Sequence, residues 1–139
     1  MIPGRYDGVA ALDGWGRAAR AITRCSGRVP VLLAATGPVV SGPALLLGLA
    51  DQVVMTPDAY AFVSGPRMVE TFTGEALDAD ELGGAAVHAA STGLAALVVD
   101  PDLVLDALSD ILAHLPAHID DEPPRWPCND PLDRPTPEA

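Results

Sequence analysis

Nowhere in this chain do about 18 apolar residues follow one another, because Gly, Pro, Ser or Asp breaks every run, so no membrane-spanning helix is expected. The opening residues MIPGRYDG hold neither a basic n-region nor an apolar h-region, which argues against a secretory signal and for a cytosolic protein. Cysteine is scarce. Cys25 and Cys128 lie far apart without a CxxC partner, so free thiols are expected, and neither a disulfide nor a metal site. Positive charge is scarce as well: eight arginines face 19 acids, for a net charge of −11. Nucleic-acid binding needs a basic surface that displaces counterions from phosphates, and this balance argues against it.

What the chain does have is apolar content. With 139 residues, 49% hydrophobic and 19% charged, it can bury one core, and its composition is that of a folded domain. Its charge is unevenly spread. Residues 1–50 hold five Arg against two Asp, a net of +3, and residues 51–139 hold three Arg against seventeen acids, a net of −14. An anionic ligand would prefer the first part.

From Gly8 to Ser26, Leu12, Trp15, Ala19 and Ile22 recur at helical intervals, and Arg17, Arg20, Arg24 and Arg28 fall on the opposite face. That basic face reads as solvated; the sharper alternative is a strip near an anionic ligand or a partner subunit. Val29–Ala35 reads as a strand buried on both faces. The turn 36–43 follows, and Ala44–Ala50 reads as a compact helix that Pro43 opens from its first position. Strands are expected at Gln52–Met55 and Ala59–Ser64.

Helices are expected from Gly65-Pro66 to about Phe72 and from Asp78 to Leu82, the second ended by left-handed glycines at Gly83-Gly84. Asp102–Leu115 reads as an amphipathic helix stopped by Pro116. Prolines at 123, 124, 127, 131, 135 and 137 make the tail an extended linker. Strands interleaved with helices indicate an α/β class. Only about three strands are visible, which is few for a self-sufficient sheet.

The segment Gly37–Pro43 is the most informative, since a strand, a tight turn and a helix meet there. Amides at such a helix start lack intrahelical partners and lie at the positive end of the helix dipole. Those of Ser41 and Gly42 are candidates to hold the oxyanion of a thioester enolate, because Pro38 and Pro43 carry no N–H. Alternatively, glycine there serves only to pack the helix closely.

The order of motifs resembles the carboxyltransferase (beta) subunits of biotin-dependent acyl-CoA carboxylases. The resemblance is carried by Gly37-Pro38-Val39-Val40-Ser41-Gly42 with the helix and Asp51 after it, then Gly65-Pro66, Glu81-Leu82-Gly83-Gly84-Ala85 with His88, Thr92-Gly93, Asp130-Pro131-Leu132-Asp133-Arg134, and Tyr6-Asp7-Gly8-Val9 at the start. It implies an incomplete ClpP/crotonase-like ββα superhelix. Residues 1–118 would be the later portion of an N-terminal acyl-CoA carboxyltransferase domain, and 119–139 a Pro-rich linker toward a C-terminal domain outside this chain.

The implied activity is transfer of a carboxyl group from carboxybiotin to an acyl-CoA such as acetyl- or propionyl-CoA. Biotin would ride on a partner carrier protein, with a biotin carboxylase or carrier subunit as partner and a homo-oligomer for the full-length enzyme. Carried over by resemblance, Ser41 and Gly42 supply the acyl-side oxyanion hole, and Gly37, Pro38, Val39 and Val40 line the substrate. Ser41 stands where the family commonly has the first glycine of a pair; should the position require a positive φ, serine costs about 1 kcal/mol or more. Ala96 stands where many relatives carry a second histidine.

Other polar residues have plainer expectations. His88 is expected to bond to backbone rather than to a substrate. His114 and His118, with Pro116 between them, are not expected to bind zinc. Glu75, Asp78, Asp80 and Glu81 read as a solvated acidic loop rather than an acid–base pair. Trp126 is expected to pin the tail onto the domain. Two rivals stand beside the main reading: a non-catalytic truncated remnant acting as a binding or assembly module, and another crotonase-fold enzyme. The second is disfavoured because 37–50 holds no acid.

Overall fold

The computed structural model describes residues 9–131 and 133–134. The motif residues Tyr6, Asp7, Gly8 and Leu132 and the tail residues 135–139 lie outside the described residues.

Helix α1 spans Val9–Cys25, as the periodicity predicts. Its apolar stripe rests on the domain only lightly: none of its residues is fully buried, Leu12 is exposed, and Trp15 makes the tightest contact noted for it, against Gly42. Strand β1, Leu32–Ala35, is shorter than expected. Pro30 cannot donate to a ladder, and Val31 is held instead by Asp51, whose Oδ2 accepts the Val31 N–H at 2.8 Å while its own N–H donates to the Val31 carbonyl at 2.8 Å. Burial on both faces also fails for β1, because it is an edge strand; Ala34 is exposed and Leu32 and Leu33 are half-buried.

The central strand is β3, Gln52–Met55, found where the sequence places it. It pairs in parallel with β1, from Leu32 opposite Gln52 to Ala35 opposite Met55. On its other side it pairs in parallel with β5, Leu97–Val98, a strand the sequence reading missed. Val53 and Met55 are buried in one cluster with Ala35, Leu47, Ala59, Ala61, Ala85 and Ala95, and Val54 is buried on the opposite face of the strand. Small residues dominate this core, so backbones approach closely. Thr56, fully buried, is satisfied: its hydroxyl donates to Asp58 Oδ1 at 2.7 Å and its N–H to the Ala35 carbonyl at 3.0 Å.

A second, two-stranded sheet joins β2, Val39–Val40, to β4, Ala61–Phe62, also in parallel. Strand β2 lies inside the segment expected to be a turn, and β4 covers only the middle of the strand expected over 59–64. Helix α2 spans Gly42–Leu47 between β2 and β3. It begins earlier and ends sooner than predicted, with Pro43 as its second residue rather than its first.

Helix α3, Pro66–Thr73, ends on Gly74 in the left-handed conformation, φ 78°. Helix α4, Ala79–Gly83, starts from a reciprocal cap: the Glu81 N–H donates to Asp78 Oδ1 at 2.8 Å, and the Asp78 N–H to Glu81 Oε2 at 3.0 Å. Two of the four acids in the expected loop thus build a helix start.

The glycines after α4 correct a prediction, since Gly84 has φ −67° and Gly83 is helical. Both are needed for closeness instead. A Cβ on Gly83 would collide with the Ala61 carbonyl oxygen, and one on Gly84 would come within 2.7 Å of the Asp80 carbonyl oxygen.

The chain continues through α5, Ala85–Val87, into a π-helical turn, His88–Thr92. After β5 a 3-10 turn, Pro101–Leu103, leads into α6, Val104–Ala113, so the helix expected over 102–115 is shortened at both ends. Beyond α6 the described tail has neither helix nor strand. Two contacts tie it down: the Ile119 N–H donates to the Arg28 carbonyl at 2.8 Å, and Trp126 lies 5.8 Å from the His114 ring, centroid to centroid. Among the described residues no helix is long and apolar enough to cross a membrane.

Candidate functional site

The parallel pair β2 and β4 ends on one edge of the molecule, and two turns leave it together. In open α/β sheets ligands collect at the C-terminal ends of strands, where helix starts and turns present unpaired amides. One turn here is Ser41 into α2; the other is Val63–Gly65 into α3. Phe62 joins them. Its carbonyl accepts the Ser41 N–H at 3.0 Å, and a Cβ on Gly65 would lie 3.5 Å from its ring.

Ser41 is the only non-glycine residue with a positive φ among the described residues, with φ 62° and ψ −124°. That conformation is a steep one for a residue with a Cβ. It is imposed from both sides. The ladder holds Val39 by its N–H to the Tyr60 carbonyl at 2.9 Å and Ser41 by its N–H to Phe62, while α2 must begin at the next residue and turn back across the core. The serine side chain makes no capping hydrogen bond, so nothing from it offsets the strain.

Of the two amides expected to face an oxyanion, that of Ser41 is therefore committed to the ladder. The register that pairs Val40 with Phe62 also aims the next N–H at the Phe62 carbonyl. Gly42 is different. As the first residue of α2 its N–H has no intrahelical acceptor, and none is found for it among the described residues.

Gly42 is also closely packed, since a Cβ there would lie 3.0 Å from Trp15 Cδ1 and 3.3 Å from Trp15 Nε1, so Trp15 would have to shift to admit one. Gly37 is half-buried and Pro38 exposed; Val39 and Val40 are half-buried, with Val39 packed against the core cluster. Phe62 is a site neighbour that sequence reasoning missed, and no local pattern marks it, because its role comes from pairing with β2.

His88 is buried behind this edge. Its Nε2 donates to the Ala61 carbonyl at 2.8 Å, so Nδ1 is the acceptor for the Thr92 hydroxyl at 2.8 Å. One nitrogen ties the π-helical turn to β4 and the other bonds within that turn, leaving neither for a substrate. His114 Nδ1 bonds to the Asp110 carbonyl at 2.8 Å, and His118 Nδ1 lies 3.1 Å from Asp120 Oδ2, so the two histidines have separate partners.

The arrangement has clear counterparts. Residues 3–139 match the carboxyl transferase domain family. The propionyl-CoA carboxylase carboxyltransferase subunit of Haloferax mediterranei is 37% identical over 128 residues, which are 90% of this chain and 25% of that protein. Transcarboxylase 12S, solved as a hexamer with hydrolysed methylmalonyl-CoA bound, superposes with a TM-score of 0.79 at 34% identity, over 88% of this chain and 24% of that one. The beta subunit of Pseudomonas aeruginosa geranyl-CoA carboxylase superposes at 0.59 with 28% identity, over 83% and 25%.

This chain belongs to the carboxyl transferase domain family, and its fold is the α/β crotonase-like one, in part. It spans about a quarter of the length of the relatives it matches.

Proposed function

We propose that this chain is the acyl-CoA side of a biotin-dependent carboxyltransferase, where an acyl-CoA enolate accepts a carboxyl group. Family membership supports the reaction class. The observation that carries the reading to a site is the Gly42 N–H, open at the junction of β2 and α2.

A thioester oxygen gains negative charge as its α-proton leaves, and a fixed amide dipole stabilises that charge without having to reorganise. Gly42 would supply one such donor. The glycine is packed by Trp15, so its N–H direction is held, and Gly37, Pro38, Val39 and Val40 form the approach to it. The donor set fits a thioester oxygen. Biotin, on a partner carrier, would supply the carboxyl group. A biotin carboxylase or carrier subunit and further copies of the full enzyme are the expected partners.

A second reading, a module that binds or assembles without turnover, is favoured by one observation: the Ser41 N–H is bonded to Phe62, leaving a single open donor where two are usual for an oxyanion hole.

One assay separates the two. The chain is incubated with a carrier protein bearing radiolabelled carboxybiotin and with propionyl-CoA, and both label transfer and propionyl-CoA affinity are measured. Transfer above the protein-free control selects the carboxyltransferase reading. Affinity without transfer selects the binding module, and loss of both refutes acyl-CoA recognition altogether.

A further inference from the structure

Ser41 carries a Cβ where the backbone disfavours one. Its φ of 62° and ψ of −124° are a combination that glycine adopts far more readily, and no other non-glycine residue among the described ones has a positive φ. The side chain does nothing for the fold in return. It is exposed, it does not cap α2, and no hydrogen bond is found for its hydroxyl among the described residues. Strain kept at a residue that neither the core nor the helix needs points to function rather than to packing.

The neighbouring residue narrows that function. Ser41 is bonded directly to Gly42, whose N–H is open, so covalent geometry alone keeps the hydroxyl within reach of whatever that amide holds. A serine on a strained turn between strand and helix, with the N–H of the next residue free beside it, is an arrangement that presents a hydroxyl and an amide to one carbonyl group. The hydroxyl has two ways to act there: attack on the carbonyl carbon, or donation to the carbonyl oxygen. Attack calls for a base within hydrogen-bond reach, and no described side chain is bonded to this hydroxyl; both His88 nitrogens are already occupied. Donation needs only the hydroxyl's free rotation.

We infer that the Ser41 hydroxyl donates to the thioester oxygen alongside the Gly42 N–H, so that the oxyanion hole of this chain is a mixed pair of one side-chain O–H and one amide. The inference rests on the acyl-CoA reading above and supplies the second donor it lacks. The Ser41 N–H is held by the Phe62 carbonyl, and the same residue offers its O–H in place of that amide. The strain then has a cause, because glycine would relieve φ but would donate nothing beyond the N–H that the ladder already holds. As charge gathers on the oxygen, the O–H turns about the Cα–Cβ bond to follow it, whereas the Gly42 amide is fixed.

The test is the carbonyl stretching frequency of propionyl-CoA, isotopically labelled at the thioester carbon and bound to the full chain, read by isotope-edited infrared difference spectroscopy. Each donor on the oxygen weakens the C=O bond and lowers that frequency. Ser41→Ala and Ser41→Gly both remove the hydroxyl, but the first keeps the Cβ with its strain and the second relieves it. Both should lose roughly half of the downshift seen with the parent, one donor of two, while calorimetry still registers propionyl-CoA binding. Ser41→Cys, whose S–H is a weaker donor, should fall between them and the parent.

A frequency in Ser41→Ala equal to the parent's would overturn the hydroxyl donor and leave the Gly42 amide alone in the hole. A loss confined to Ser41→Gly would sink it equally, since the effect would then come from the backbone. If the parent binds propionyl-CoA without any downshift, neither group touches the thioester oxygen. If the parent does not bind propionyl-CoA at all, the acyl-CoA reading and the hydroxyl donor fall together.

Discussion

Replacing Ser41 with glycine should stabilise the protein, against the usual direction for a glycine introduced at a strand end. At φ 62° and ψ −124° the Cβ of Ser41 crowds the backbone, and residues in such sparsely populated regions carry about 1–3 kcal/mol of strain. Glycine removes that strain. It also gives the unfolded chain more freedom, which costs about 0.4–1 kcal/mol. The net expectation is a gain of about 1 kcal/mol, or roughly 0.5 M in the urea midpoint at an ordinary slope of about 2 kcal/mol/M.

Two comparison variants isolate the cause. Ser41→Ala keeps the Cβ and loses only the hydroxyl, which makes no capping hydrogen bond, so it should stay within about 0.5 kcal/mol of the parent. Val40→Gly, one residue earlier in β2 and without a positive φ, should lose stability. Urea unfolding followed by circular dichroism reads all three. A Ser41→Gly chain that unfolds earlier than the parent would mean that the strain is not stored at this residue, and the argument from φ would fail.

Two further outcomes follow from the packing behind the site. Gly83→Ala should destabilise by about 2–4 kcal/mol, because the new methyl group meets the Ala61 carbonyl and α4 must move away from β4; an unchanged melting temperature would show that α4 shifts freely. His88→Ala should cost about 2–4 kcal/mol through the emptied space and the lost hydrogen bonds, including one to a buried carbonyl, while His114→Ala, at an exposed position, should change stability by less than about 0.5 kcal/mol. Equal effects from the two histidine variants in chemical denaturation would remove the structural role given to His88.

The match between sequence and structure depends on how far apart the interacting residues are. Helix α1 was legible because its apolar interval is contained in seventeen residues; α4 was placed by the glycines after it, while its cap of Asp78 and Glu81 was read as a solvated loop. The strand β3 is local in the same sense. Strand β5 was not legible. Two residues, Leu97 and Val98, become a strand only because β3, some 43 positions earlier, offers Val54 and Met55 as partners. The same holds for β2, whose two valines lie in a glycine- and proline-rich stretch that reads as a turn until β4 is placed beside it.

The candidate site divides along the same line. That a strand, turn and helix meet near Gly37–Pro43 and that the prolines at 38 and 43 have no N–H to give are properties of the sequence, while the family resemblance implies that Ser41 occupies a glycine position. Which amide stays open is not such a property. The Ser41 N–H is taken and the Gly42 N–H is left because a parallel register brings the Phe62 carbonyl to one and the helix start turns the other away, while Trp15 arrives from α1 to crowd any side chain at Gly42. Those partners stand 21 and 27 residues from the groups they govern, and only the folded chain brings them together.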